Sequence, residues 1–397
     1  MPRGLVAVVA LAGLLAGCAH TSPASGHKDV LGFVKHSGAV EWPAADDYIP
    51  DGDGLRILVP EGSCTRGIGT YRNGYRDVTA NWTGPDTCDS LKLNPSPANG
   101  ARTTGDGPPD AVGGWRGGGV AAEAVVVGED GSLLTAGDTG LARYRKGNRE
   151  ELARTDLSTT GLEGQGSRSL VRGMAVTGSG RILVNADLST EAKPAPVLLA
   201  SDDHGKSLRR MPLPAFEGGA GRQTISVIAT AGDEVVAMGV SRRQAVVWRS
   251  GNGGDTWTVS AVGELPDNTM ITRLVRSGGR WVALGGYRTT KDYTYVLSSV
   301  NGHVWQPGPA DGLGVGRVQD VTVDSTGDLV MVGLSYGSRP GGEINNCGVV
   351  WVGDGERAWQ RGDLGCGDAA PQAVTTLADG RVLLAGNRDL WLRAGVQ

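Results

Sequence analysis

Several absences narrow the class of this 397-residue chain before any motif is read. No stretch of ten or more residues carries the 3.6-residue apolar period of an amphipathic helix, which leaves an all-β fold. No glycine fingerprint for nucleotide phosphates stands between a strand and a helix, so no cofactor has a recognisable cradle. The cysteines are accompanied by no CxxC pair and no histidine cluster, which removes the usual zinc ligand sets. Of five histidines, His20 and His27 lie near the N-terminus, His204 and His303 fall in variable turn positions, and His36 stands alone. Serine or cysteine hydrolase chemistry therefore has no base to build on. A net charge of −4 gives no basic footprint and argues against nucleic acid as a partner.

Long apolar runs are also missing. The nearest is Leu5 to Leu15, about the length of a signal-peptide core and too short to cross a bilayer as a helix. It ends in Leu15-Ala16-Gly17-Cys18, which resembles the lipobox of bacterial lipoproteins. The resemblance implies a signal peptide over 1–17, cleavage before Cys18, and a lipid on Cys18 that holds the protein to the cell membrane outside the cytoplasm. Residues 18–37 then read as the lipidated Cys and a flexible tether, since His20 to Lys28 has no apolar face to bury.

What the chain has in abundance is glycine, 65 residues interleaved with Val, Leu and Ala, a pattern of many tight turns between short strands. Four cysteines remain beyond Cys18, an even number that points to two disulfides in an oxidising compartment. Cys347 opens an apolar strand and Cys366 closes the returning one, with Asp354-Gly355 as the turn between, so the two face each other across a hairpin. Cys64 and Cys88 similarly bracket the hairpin signal Asn73-Gly74.

The chain is internally repetitive. The pattern "apolar strand, Gly turn, apolar strand ending in Gly" occurs at Ala122–Gly137, Val171–Ala186, Ile225–Gly239, Ile271–Gly285, Val318–Gly333 and Gln372–Gly386, with ends spaced 49, 53, 46, 48 and 53 residues apart. A period near fifty with three or four short strands per unit is that of propeller blades. After a third strand comes a turn: Ser201, Asp203, Gly205 and Leu208 in one copy, Ser250, Asn252, Gly254 and Trp257 in the next, Ser299, Asn301, Gly302 and Trp305 in a third. A worn copy holds Asp354, Gly355 and Trp359. These turns resemble the Asp-box, or BNR repeat, of sialidase-like β-propellers, with Leu208 in place of Trp and two Asn in place of Asp. The resemblance implies a β-propeller of six or seven four-stranded blades over residues 38–397, with the boxes on hairpins between third and fourth strands. Their role is structural: hydroxyl and carboxylate or amide oxygens bind turn N–H groups, and the indole packs between blades. The sixth unit ends at Asp389–Arg393 without a fourth strand, and Gly38–Pro43 is the expected donor that closes the circle. Residues 50–119 read as a divergent blade or an insertion.

Sialidases clamp a substrate carboxylate with three arginines, the first in an R-I-P string, and use a Tyr nucleophile with Glu and an Asp acid. Here Arg56-Ile57-Leu58-Val59-Pro60 is the nearest string, no Tyr is placed by motif, and Glu123, Asp320 and Asp324 cannot be paired as the two carboxylates of a glycosidase from sequence. The stronger pattern lies in second-to-third-strand and fourth-to-first-strand connections, which share one propeller face. They carry Arg222, Arg242, Arg243, Arg288, Arg317, Arg339 and Arg388, with Tyr287, Tyr293 and Tyr336. Forked guanidiniums around a Tyr-lined mouth suit a carboxylate, a phosphate or an acidic peptide; the alternative is a set of separate solvated loop residues. The expectation is a non-enzymatic binding or scaffolding module for a protein, glycan or anionic ligand, with a glycoside hydrolase or sialidase relative as the alternative and an assembly factor as a special case of the first. No metal and no cofactor are expected.

Overall fold

The computed structural model describes residues 30–42, 54–73, 76–94, 124–127, 132–137, 140–145, 148–153, 169–188, 196–218, 223–241, 243–338, 344–366 and 370–395. Cys18 and the signal segment, Arg222, Arg242, Arg339 and the part of 50–119 beyond Asn94 lie outside them. The described residues contain strands and turns and no helix, and the strands form seven four-stranded antiparallel sheets.

The first strand, β1 (Phe33–His36), belongs to the last sheet. Sheet 1 is β2 (Gly54–Glu61), β3 (Cys64–Asn73), β4 (Arg76–Thr83) and β5 (Lys92–Asn94). Sheet 2 is β6 (Ala124–Val127), β7 (Leu133–Gly137), β8 (Gly140–Arg145) and β9 (Asn148–Ala153). Sheet 3 is β10 (Ser169–Val176), β11 (Ile182–Leu188), β12 (Pro196–Ser201) and β13 (Arg209–Met211). Sheet 4 is β14 (Val227–Ala231), β15 (Glu234–Ser241), β16 (Gln244–Ser250) and β17 (Thr258–Glu264). Sheet 5 is β18 (Met270–Ser277), β19 (Arg280–Arg288), β20 (Asp292–Ser299) and β21 (Gln306–Pro307). Sheet 6 is β22 (Arg317–Val323), β23 (Leu329–Ser338), β24 (Ile344–Gly353) and β25 (Gln360–Cys366). Sheet 7 is β26 (Pro371–Thr376), β27 (Val382–Gly386), β28 (Leu390–Arg393) and, outermost, β1.

Each sheet is covered on both faces, which is why its middle strands read as nearly unbroken apolar runs and not as alternating ones. Strand β15 is buried from Val235 through Gly239, and β16 from Ala245 through Trp248. Seven apolar clusters fill seven inter-sheet spaces. Trp281, Leu297 and Trp305 pack against Val236 and Val247 between sheets 4 and 5, Trp351 and Trp359 against Val282 and Leu284 between sheets 5 and 6. Leu383 and Leu390 meet Leu55 and Trp82 between sheets 7 and 1, so the order of contacts is cyclic. First strands lie against first strands of neighbouring sheets, which makes them the innermost. The fold is a β-propeller of seven blades.

Residues 54–94 are thus a full blade. Its second strand, β3, was not legible in the sequence because Gly67 and Gly69 dilute the apolar pattern. Cys64–Cys88 and Cys347–Cys366 are both disulfide-bonded, and Cys347 stands directly opposite Cys366 in the β24–β25 register.

The donor strand is corrected. Sheet 7 is completed by β1, with Phe33 opposite Arg393 and His36 opposite Leu390, five residues upstream of the expected Gly38–Pro43. Residues 30–36, expected in the tether, are therefore folded. The reason is side-chain fit: Phe33 is 1% exposed, packs among Val332, Val350 and Trp391, and has the Arg393 guanidinium 5.1 Å from its ring centre. The segment after it crosses to sheet 1, where Val40 forms a parallel bridge with Leu91 and Trp42 meets Trp82 edge to face.

One irregularity recurs. The innermost strand carries an extra, unpaired residue at the same register point in sheets 1, 3, 5, 6 and 7: Arg56, Arg172, Thr272, Gln319 and Gln372. In sheet 4 the N–H of Ser226 donates to the Met238 carbonyl whose residue is already paired with Val227, so Ser226 holds the equivalent place. Across from this bulge stands the residue that ends each sequence repeat. A Cβ on Gly69, Gly239, Gly285 or Gly333 would overlap a carbonyl oxygen of the innermost strand, that of Gly54, Thr224, Met270 or Arg317 respectively. In these four sheets the bulge presses backbone onto backbone and glycine is what fits, whereas sheet 3 carries Ala186 at this place, opposite Val171.

Candidate functional site

The two ends of the ring differ in chemistry. At one end lie the turns between third and fourth strands. Ser250 Oγ accepts from the Gly254 N–H (2.8 Å) and donates to Asn252 Oδ1 (2.8 Å), Asn252 Oδ1 accepts from the Thr256 N–H (3.0 Å), and the Trp257 indole donates to the Gly254 carbonyl (2.8 Å). Gly254 has φ +95°, which the turn requires. The other turns repeat the scheme. Gly205 N–H donates to Ser201 Oγ and Ser207 N–H to Asp203. In the third, Gly302 N–H donates to Ser299 Oγ, and Trp305 donates to the Gly302 carbonyl. Leu208, in the tryptophan position, packs at the sheet 2–sheet 3 core. Replacing Ser250 by Ala removes the hydroxyl's bonds to Gly254 and to the backbone and side chain of Asn252 and is expected to cost about 1–2 kcal/mol in chemical denaturation; a loss below about 0.3 kcal/mol would contradict this role.

Asp203 is held below the usual carboxylate range, first by the Ser207 hydroxyl and then by the Ser207 N–H and Ser201 hydroxyl. For Asp354, burial pushes the pKa up, but the N–H groups of Glu356 and Arg357 and the Arg357 guanidinium bring it down to about 2. A depressed carboxylate contributes stability that is present above its unfolded pKa, about 3.9, and is lost as pH falls through the folded value. Asn252 and Asn301 have no such dependence. Asp354→Asn should therefore flatten the fall in melting temperature between about pH 5 and about pH 2. A fall as steep as that of the wild type would exclude the carboxylate as a source.

The opposite end carries the second-to-third-strand hairpins and the fourth-to-first-strand connections, and of the residues singled out above the described ones, Arg243, Arg288, Arg317, Arg388, Tyr287, Tyr293 and Tyr336, belong to these segments. On the β19–β20 hairpin Tyr287 and Tyr293 stack, with ring centres 5.3 Å apart. Tyr295 follows on the same face, its phenol pKa raised by burial and then by Tyr287. Arg288 reaches the buried carboxylate of Asp292 at 2.6 Å. The stem of Arg317 lies over Gly286, where a Cβ would come within 3.1 Å of its Cγ. These residues share one hairpin and its neighbour. Arg243 stands on sheet 4, paired with Asp267 at 2.9 Å, and the exposed Arg388 on sheet 7, its carbonyl accepting from the Val40 N–H. Tyr336 lies in β23 opposite Asn346.

Below the mouth, the innermost strands hold a polar relay absent from the sequence reading. Arg273 donates to Asp320 at 3.0 Å across the sheet 5–sheet 6 boundary, and the second Asp320 oxygen accepts from the Val374 N–H of sheet 7 at 2.9 Å. Asp324 is bound by its own turn, through the Thr326 and Asp328 N–H groups, and by Arg393. Two of the three carboxylates considered for a glycosidase are thus structural ties; Glu123 lies outside the described residues. The relay's signal was available: Arg273 and Asp320 stand third in their repeats, where the other four copies have Ala124, Gly173, Val227 and Val374. Among the described residues no group of three or more His, Cys, Asp or Glu is placed to hold a metal.

No family model and no curated protein matches the chain. Similar solved structures exist at low identity. The extracellular domain of BT4673 from B. thetaiotaomicron shares 11% identity at a TM-score of 0.50, over 91% of this chain and 40% of that one. The chain therefore spans about 40% of that domain's length. Streptogramin B lyase shares 14% at 0.48, over 92% and 98%, and the Hadza microbial sialidase Hz136 shares 14% at 0.44, over 69% and 65%. At such identity the likeness concerns the fold alone.

Proposed function

We propose that the protein is a lipid-anchored, extracytoplasmic β-propeller of the Asp-box type that binds a ligand at the channel mouth. The observation that carries this reading is the polarity of the ring. Phe33 pairs with Arg393, the end of a third strand, where the other blades have their boxes. The chain leading from Cys18 thus joins the ring at the box end, and the arginine- and tyrosine-bearing mouth faces the opposite way, away from the membrane. Two disulfides suit an oxidising compartment outside the cytoplasm. A binding role fits better than hydrolysis because Asp320 and Asp324 are engaged in structural bonds.

The test is metabolic labelling with an alkyne-bearing fatty acid. The wild type should take up label and sediment with membranes, and Cys18→Ser should do neither. An unlabelled wild type would overturn the anchor, and label that persists in the variant would overturn the site.

A further inference from the structure

The two disulfides sit in opposite surroundings. Cys64 and Cys88 are 2% and 0% exposed and belong to the core between sheets 7 and 1. Cys366 is exposed, and Cys347 is only partly buried. Thiol exchange requires a thiolate to reach one of the sulfurs, so access separates an exchangeable disulfide from an inert one.

The exposed bond also holds a short and otherwise weakly anchored piece of chain. Strand β25 bulges at Leu364, where the β24–β25 register shifts between Gly348 and Val349, and past the bulge only Gly365 and Cys366 remain paired. Up to the bulge the strand has other anchors: Leu364 is buried in the core between sheets 6 and 7, and Val30 and Leu31 pack over Gly362. The last two positions lack such cover. Both are exposed, and Gly365 stands at φ +95°. The disulfide therefore closes the loose end of this ladder at the mouth. Soon after Cys366, Ala370 and Pro371 are buried against β24, so near that a Cβ on Gly348 would come within 2.5 Å of Pro371 Cδ. Gln372, the bulge residue of sheet 7, follows directly.

We propose that Cys347–Cys366 is a thiol-exchange site on the rim of the mouth, and that its reduction loosens the connection from sheet 6 to sheet 7 while the ring stays closed. The attacking thiolate bonds to Cys366 Sγ, the more exposed sulfur. The disulfide breaks, and Cys347 leaves as a thiolate that takes up the proton the attacking thiol has lost. A second thiol resolves the mixed disulfide at Cys366, so that two thiols become one disulfide and the protein gains two electrons and two protons. The inference goes beyond the binding reading: the mouth has a second state, set by a small thiol or a protein dithiol.

The test uses the full-length protein in its native state, incubated with graded reduced glutathione or reduced thioredoxin, trapped with N-ethylmaleimide and mapped by mass spectrometry. Cys347 and Cys366 should become labelled about tenfold faster than Cys64 and Cys88, or more. Trapped glutathione should be found on Cys366 and not on Cys347. In the reduced protein, amide exchange should rise at Gly365, Cys366 and Ala370 while β15 and β27 keep their protection; Cys347→Ala/Cys366→Ala should show the same pattern without any reductant. Opening by glutathione supports a small thiol as the source, and opening by thioredoxin alone a protein dithiol. Opening by neither, or equal rates for the two disulfides, overturns the site. Glutathione on Cys347 overturns the point of attack, and faster exchange in every sheet overturns the local release.

Discussion

Gly239→Val is expected to destabilise the protein by more than about 3 kcal/mol, enough to deplete the folded form. Gly239 lies in β15 across from the bulge at Ser226, and any Cβ there would overlap the Thr224 carbonyl oxygen and crowd Ile225 Cα. Both are backbone, so no rotamer change can relieve the clash; the innermost strand would have to leave its partner. Its displacement would carry Ile225 and Ile228 out of the sheet 3–sheet 4 core. Gly263→Ala, in β17, is the matched control, because a Cβ there meets nothing within 4 Å. It should stay within about 0.5 kcal/mol of the wild type. Denaturant unfolding of the two variants side by side is the measurement. A Gly239→Val loss under about 1 kcal/mol would show that the repeat's terminal glycine is a turn residue by composition and not a steric requirement of the bulge.

Phe33→Ala is the second large effect, about 3–5 kcal/mol. Phe33 fills the space between sheets 6 and 7 with Val332, Val350 and Trp391, and holds β1 against β28. With the ring removed, β1 keeps its backbone ladder with β28 and the Lys35–Asp389 ion pair but has no other fully buried side chain, since Val34 is half exposed and Lys35 and His36 are only partly buried. Loss of β1 bares the edge of β28, so amide exchange at Leu390–Arg393 should accelerate before that of β15 or β23. Uniform acceleration across all sheets would mean that the ring opens as one unit and that β1 is no separate latch.

The repeat was legible because each copy combines an apolar run with a turn whose chemistry is local. Ser250, Asn252, Gly254 and Trp257 bond one another within eight residues, so their order in the sequence is their order in space. The hairpin disulfide Cys347–Cys366 was legible for the same reason. What escaped depends on distant partners. The closing strand pairs residues about 350 positions apart, and nothing in Phe33–His36 announces Leu390–Arg393. The expected donor Gly38–Pro43 holds Trp42, and an indole early in a strand marks fourth strands, but this one packs on Trp82 at the core between sheets 7 and 1. The bulge residues Arg56, Arg172, Ser226, Thr272, Gln319 and Gln372 are polar in all six blades that show the bulge. Read as a strand pattern, they merely interrupt apolar alternation; their common level in the channel emerges only from the register.

The claim on which the architecture and the orientation of its mouth both rest is that the two ends of the chain meet as neighbouring strands of one blade. A cross-strand cysteine pair reads this directly. Val34 stands opposite Leu392, an outer strand beside a third strand, as Cys366 stands opposite Cys347 in the preceding blade. In Val34→Cys/Leu392→Cys, oxidation followed by proteolysis and mass spectrometry should return one disulfide-linked peptide pair joining the two ends. Val34→Cys/Trp391→Cys, slipped by one residue and so on opposite faces of the sheet, should remain unlinked. No link in the first variant, or a preference for the slipped one, would contradict the closure described.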